Sequence, residues 1–157
     1  MSKVPGKTPV RSALRDDSDL QEQVKDGIQA LEKSHRKYLA SDIRSDFSDG
    51  LDLDKALKPG REEENRWDYL LGYEATGAVV ALEPHSAKQD EITRVIKKKR
   101  AARDQLKGHS KAGAHIKSWI WVSSGKKAHF ANTEKARIRL DQQGIQLVGG
   151  RVEKKDL

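Results

Sequence analysis

The chain has 157 residues, 35% of them charged and 35% hydrophobic, which supplies apolar material for one modest core and excludes two large domains. It has no cysteine, which excludes a disulfide scaffold, thiol chemistry and any Cys-ligated zinc or iron–sulfur centre. No run of 18 apolar residues is present to span a membrane, and the basic opening residues lack the apolar core of a signal peptide, so a cytoplasmic protein is expected.

Residues 1–17 hold two prolines, a glycine and scattered basic residues without periodicity, and read as a flexible basic tail. Order is expected from Ser18, where Ser18-Asp19-Leu20-Gln21 has the form of a capping box. Leu20, Val24, Ile28, Leu31 and Tyr38 follow at helical spacing, so an amphipathic helix is expected to about Ala40, with His35 at the edge of its apolar stripe. From Ile43 to Leu57 acidic and apolar residues alternate, which favours a strand or extended segment. The Asp run lacks the offsets of a calcium loop. Pro59-Gly60 marks a turn, and residues 61–65 a charged loop.

Two β-rich runs come next, residues 67–73 (WDYLLGY) and residues 78–83 (AVVALE). The short link Glu74-Ala75-Thr76-Gly77 makes them an antiparallel hairpin, with Pro84 expected to stop the second strand. Ser86 opens a second capping box and a long helix to about Leu106, with Ile92, Val95, Ile96 and Leu106 on one side and basic residues over the rest. Ile116 to Val122 reads as a buried strand, and Lys126 to Phe130 as a brief return arm. A helix is expected from Asn132 to Gln143 with Gly144 just past its end, then a strand at residues 145–148 and a polar tail at 153–157. The order is α-β-β-β-α-β-α-β, an α/β (α+β) sandwich with a mixed central sheet flanked by helices, in one domain spanning residues 18–152.

The net charge of +7 is unevenly divided: residues 86–157 carry 18 Lys and Arg against 7 Asp and Glu, a balance of +11 that leaves −4 for residues 1–85. That division points to a polyanion-binding surface beside a group of carboxylates, although lysine-rich helices are also ordinary solvated faces. Nucleotide-binding glycine loops, nucleophile elbows and HExxH motifs are absent from the sequence.

Counting outward from the turn, Tyr73 faces Ala78 and Asp68 faces Glu83. Opposite residues of an antiparallel pair lie on one face with Cβ atoms about 5 Å apart, and two like charges there repel unless a cation or proton intervenes. Two converging carboxylates suit Mg²⁺, which takes a few hard oxygen ligands and fills the rest of its shell with water or phosphate. The alternative is a strand-end pair held apart by twist or neutralised by Arg66 or Lys88.

The element order, with Asp68 starting the second strand and Glu83 ending the third, resembles the core of the PD-(D/E)xK nuclease superfamily over residues 19–123. The resemblance implies that Asp68 and Glu83 hold Mg²⁺ or Mn²⁺ and that a basic residue orients the attacking water. His85 stands at the motif lysine's place, two residues after Glu83, and Lys88, Lys97 or Lys98 can reach back instead. The expected partner is DNA or RNA, gripped by Lys97, Lys98, Arg100, Lys126, Lys127 and Arg137. The alternative is a non-catalytic module on the same fold that binds nucleic acid or a regulatory or immunity-type protein partner. Trp119 and Trp121 share one strand face, as core or as a base-stacking surface.

Overall fold

A computed structural model describes residues 8–88, 91–123 and 134–157. The return arm at residues 126–130, Asn132, Lys126 and Lys127 lie outside the described residues. The architecture is the expected one: a single six-stranded mixed sheet with helices against it. The strands are β1 (Lys25–Asp26), β2 (Phe47–Asp52), β3 (Tyr69–Tyr73), β4 (Ala78–His85), β5 (Ile116–Ser123) and β6 (Ile145–Gly149). The helices are α1 (Pro9–Ala13), α2 (Leu53–Leu57), α3 (Glu91–Leu106) and α4 (Glu134–Gln142). Spatial order equals chain order; β1 to β4 run antiparallel, while β4, β5 and β6 are parallel and joined through α3 and α4.

Strand alternation divides the core between the two faces of the sheet. Leu70, Val79, Ala81, Trp119 and Trp121 pack on one face with α3, while Tyr69, Leu71, Val80, Leu82, Ile120 and Val122 pack on the other. Trp67, Trp119 and Trp121 all belong to the α3 face, and Trp67 meets Trp119 edge to face at 5.0 Å. Trp119 is 7% exposed and Trp121 fully buried, so both are core residues.

The helix expected over residues 18–40 does not form. Two 3₁₀ turns, Asp19–Gln23 and Lys33–Tyr38, flank the short β1 strand, and Gly27 sits at φ 57°. The reason is packing: Leu20 and Val24 join the α3 face, whereas Leu31 and Tyr38 join the opposite one. A straight helix cannot place one stripe on both sides of a sheet, so the segment wraps around the sheet edge, and Ser18 Oγ accepts from Leu20 N–H at 3.1 Å and pairs with His109 Nδ1 at 2.8 Å. Order also starts earlier than Ser18, because Val10 and Leu14 of the expected tail are buried core residues.

The alternating segment divides in two. β2 ends at Asp52, whose side chain accepts from Lys55 N–H at 3.0 Å and caps α2. Pro84 does not stop its strand. Beyond Leu82, the last residue paired to β3, β4 has a neighbour on one side only, and there a missing N–H is tolerated. The 153–157 tail forms a 3₁₀ turn at Lys154–Asp156, capped by Glu153.

The start of the chain is tied down by Asp49, a fully buried β2 residue whose carboxylate accepts from Val10 N–H at 3.1 Å and Arg11 N–H at 3.0 Å. Gly72, across the ladder from Asp49, permits this approach. A Cβ at position 72 would overlap Asp49 Oδ1 and come within 2.7 Å of Pro9 Cδ. Gly72→Ala is therefore expected to destabilise by about 1–3 kcal/mol, lowering the thermal midpoint by roughly 3–10 °C. A midpoint unchanged in differential scanning calorimetry would contradict this packing.

Candidate functional site

Asp68 and Glu83 are brought together in the register that counting from the turn gives. The β3–β4 ladder ends at Tyr69 paired with Leu82, and in the next step outward Glu83 Oε1 accepts from Asp68 N–H at 2.9 Å. The Asp68 carbonyl accepts from Leu53 N–H at 2.8 Å and Asp54 N–H at 3.2 Å, in the first turn of α2. Both backbone polar groups of Asp68 are thus engaged, which fixes its position.

Glu83 shares the α3 face with Val79 and Ala81 and is fully buried. Lys98 reaches it from α3, with Nζ 2.6 Å from Glu83 Oε2. Lys98 lies on the inward stripe of that helix, in helical step with the buried Val95, Ala102 and Gln105. Of the α3 lysines expected to reach back toward the carboxyls, Lys98 does so and Lys97 is exposed. The stripe itself is the sequence signal: a lysine three residues after Val95 and four before Ala102 has to face the sheet.

His85 occupies a different role from a motif lysine. Its Nδ1 is 3.6 Å from Glu83 Oε2, its Nε2 is 2.7 Å from Glu91 Oε2, and its carbonyl accepts from Trp121 Nε1 at 3.1 Å. Glu91, which the sequence reading passed over, is held below the ordinary carboxylate range by that His85 hydrogen bond. Lys88 is exposed and forms no ion pair with either carboxyl, and Arg66 pairs with Asp54 at 2.9 Å instead of with Asp68. Lys97, Arg100 and Arg137 are exposed, Arg137 lying on α4 and the other two on the outer side of α3.

Burial raises the Asp68 carboxyl to about 6, with Asp54, Asp52 and Glu32 pushing the same way and Lys98 opposing. Burial, followed by the charge of Asp68, also pushes Glu83 upward, against the pull of Lys98 and of the hydrogen bonds from Lys98 and Asp68 N–H. Asp52 is raised as well, chiefly by burial. The cluster thus has more acid than base, and Lys98 is the cation placed against it.

Among the described residues, no group of three or more His, Asp and Glu side chains is arranged to hold a metal ion. A protein-built cage of the zinc type is therefore missing from this part of the chain. Asp68 and Glu83 are hard oxygen donors of the type Mg²⁺ or Mn²⁺ takes when phosphate and water complete the shell, and a metal there would have to displace one of the hydrogen bonds that both Glu83 oxygens accept within the protein. Compared with protein-family models, curated proteins and solved structures, the chain gives no match.

The electrostatics give two expectations. Between about pH 4 and pH 6 the folded chain holds a proton on Asp68 that the unfolded chain has released, so stability falls as pH rises through that window and the penalty is complete above it. Asp68→Asn removes the penalty: at pH 7 without metal it should melt about 3–6 °C above wild type, with the gap closing near pH 4. Equal melting of the two proteins across pH 4–8 would contradict the raised value. Lys98→Met leaves Glu83 buried and uncompensated and should cost about 3–5 kcal/mol. Adding Glu83→Gln should recover much of that loss in urea titrations, whereas strictly additive losses would show that the pair is not coupled.

Proposed function

We propose that the protein is a metal-dependent nuclease-like hydrolase of nucleic-acid phosphodiesters, related in plan to the PD-(D/E)xK nucleases. The observation that supports this most is the contact of Lys98 with Glu83 beside Asp68: a buried strand carboxylate bonded to the Asp68 backbone, with a helix-borne lysine against it. In this reading Lys98, and not His85 or Lys88, stands for the motif lysine.

Asp68 and Glu83 would hold Mg²⁺ or Mn²⁺, which when bound supplies charge neutralisation at the phosphate and an acidified water. The raised affinity of Asp68 for protons marks a site that favours an added positive charge. Lys98 keeps Glu83 oriented through its ammonium and offers a proton donor beside the carboxyls. Glu91 holds His85 by Nε2, which leaves Nδ1 toward Glu83. Lys97 and Arg100, exposed on α3, add attraction for the phosphate backbone.

One observation favours a second reading, a non-catalytic module that binds nucleic acid. Glu83 is fully buried and both of its oxygens already accept hydrogen bonds within the protein, as in a closed ion pair.

Cleavage assays on plasmid, single-stranded DNA and RNA with Mg²⁺ or Mn²⁺ separate the two. The hydrolase reading expects cleavage by wild type, a loss of roughly 100-fold or more in Asp68→Ala and Lys98→Gln, and normal rates in Lys88→Ala. Failure to cut any substrate, together with no heat of metal binding, would discard it. Salt-sensitive binding that Asp68→Ala leaves unchanged would then establish the module.

A further inference from the structure

At the opposite end of α3 from Glu91 lies a second concave feature, separate from the carboxyl cluster. A crevice of about 350 Å³ opens between α1, the C-terminal half of α3 and the start of β5. Its apolar wall includes Leu70, Val79, Leu106 and Trp119, all core residues of the α3 face. Its remaining wall is basic: Lys99, Arg103, Lys107 and His115 line it, and none of the described lining residues is acidic.

The basic residues form a row. Lys99 and Arg103 lie four residues apart on α3, a like-charged spacing that costs a helix about 0.2–0.5 kcal/mol, and Lys107 follows in the turn just past the helix end. Lys107 is partly compensated by the exposed Asp104 at 3.3 Å. Lys99 and Arg103 form no ion pair with a described residue. Lys99 is held by neutral groups only: Nζ donates to the Gln143 carbonyl and sits 5.3 Å from the centroid of Trp119. Burial, followed by the charge of Arg103, holds Lys99 below its ordinary value, so an anion placed here would relieve both desolvation and repulsion. An apolar cavity of this size with a few convergent charged groups has the make-up of a small-molecule site.

We propose that this crevice binds a small amphipathic anion, with its apolar body against Leu70, Val79 and Trp119 and its carboxylate or phosphate against Lys99 and Arg103. Lys99, Arg103 and Lys107 select the charge, and the aliphatic and indole wall selects the body. Neither Asp68 nor Glu83 lines the crevice, so the site stands independently of the proposed phosphodiester chemistry.

The test uses the full chain and four probes: 1-naphthyl phosphate and octanoate as amphipathic anions, inorganic phosphate for charge alone, and 1-naphthol for the body alone. Binding is followed by calorimetry and by backbone amide shifts. Both amphipathic anions, or one of them, should bind at least about tenfold more tightly than inorganic phosphate and 1-naphthol, with preference between them naming the head group. The shifts should centre on residues 99–107 and 114–119. Arg103→Gln, at an exposed position, should weaken binding about tenfold, and Ala114→Trp should block it by filling the mouth. Asp68→Ala should bind as wild type does. Amphipathic anions binding no better than inorganic phosphate, or an Arg103→Gln variant of unchanged affinity, would overturn the proposal.

Discussion

The hydrogen bond from Asp68 N–H to Glu83 Oε1 is where sheet register, helix position and site chemistry meet. It exists because Tyr73 pairs with Ala78 at the turn, so that every later pair out to Tyr69 and Leu82 falls opposite, and residues 68 and 83 meet one step past the end of the ladder. A slip of one residue would turn Glu83 to the other face, away from Lys98, and would turn Val79 and Ala81 with it. The apolar core therefore enforces the register that brings the carboxyls together. The α2 turn, which donates to the Asp68 carbonyl, and α3, which delivers Lys98, complete the arrangement.

This arrangement is costly to the fold. A fully buried and a half-buried carboxyl face one lysine, with Asp52 and Asp54 adding negative charge nearby. A sheet selected for stability alone would place apolar residues at 68 and 83, since buried ion pairs rarely exceed a hydrophobic replacement of equal volume. Under the proposed metal-binding role, an added cation would offset the repulsion within this cluster. The ordinary consequences of such a cluster, raised carboxyl affinities for protons and dependence on one compensating cation, follow from burial and Coulomb's law without further assumption.

The hairpin and its register were legible because they depend on local spacing: a turn ending in Gly77, at φ 70°, between an aromatic run and a valine-bearing run of known offset. The helices α3 and α4 and the strands β5 and β6 were legible from periodicity and from Gly144, at φ 67°. The segment from Ser18 to Ala40 was not. Leu20, Val24, Leu31 and Tyr38 have helical spacing, but they serve two faces of a sheet that spacing alone does not reveal. Lys98 was half legible: its stripe position shows that it faces inward, yet its pairing with Glu83 requires knowing that α3 returns over β4. Glu91 was hidden for a related reason, because its partner His85 belongs to the preceding strand end and the contact forms only when the chain turns between them.

The account rests on Asp68 and Glu83 forming one coupled, cation-seeking pair. Side-chain carboxyl carbon NMR of the labelled protein, titrated from pH 3 to pH 9 with and without Mg²⁺, tests this most directly. The predicted result is an Asp68 resonance with its midpoint near 6 and a Glu83 resonance titrating above the ordinary glutamate range, both moving to lower pH when Mg²⁺ is added. An Asp68 midpoint near 4 that ignores both Mg²⁺ and Glu83→Gln would contradict it.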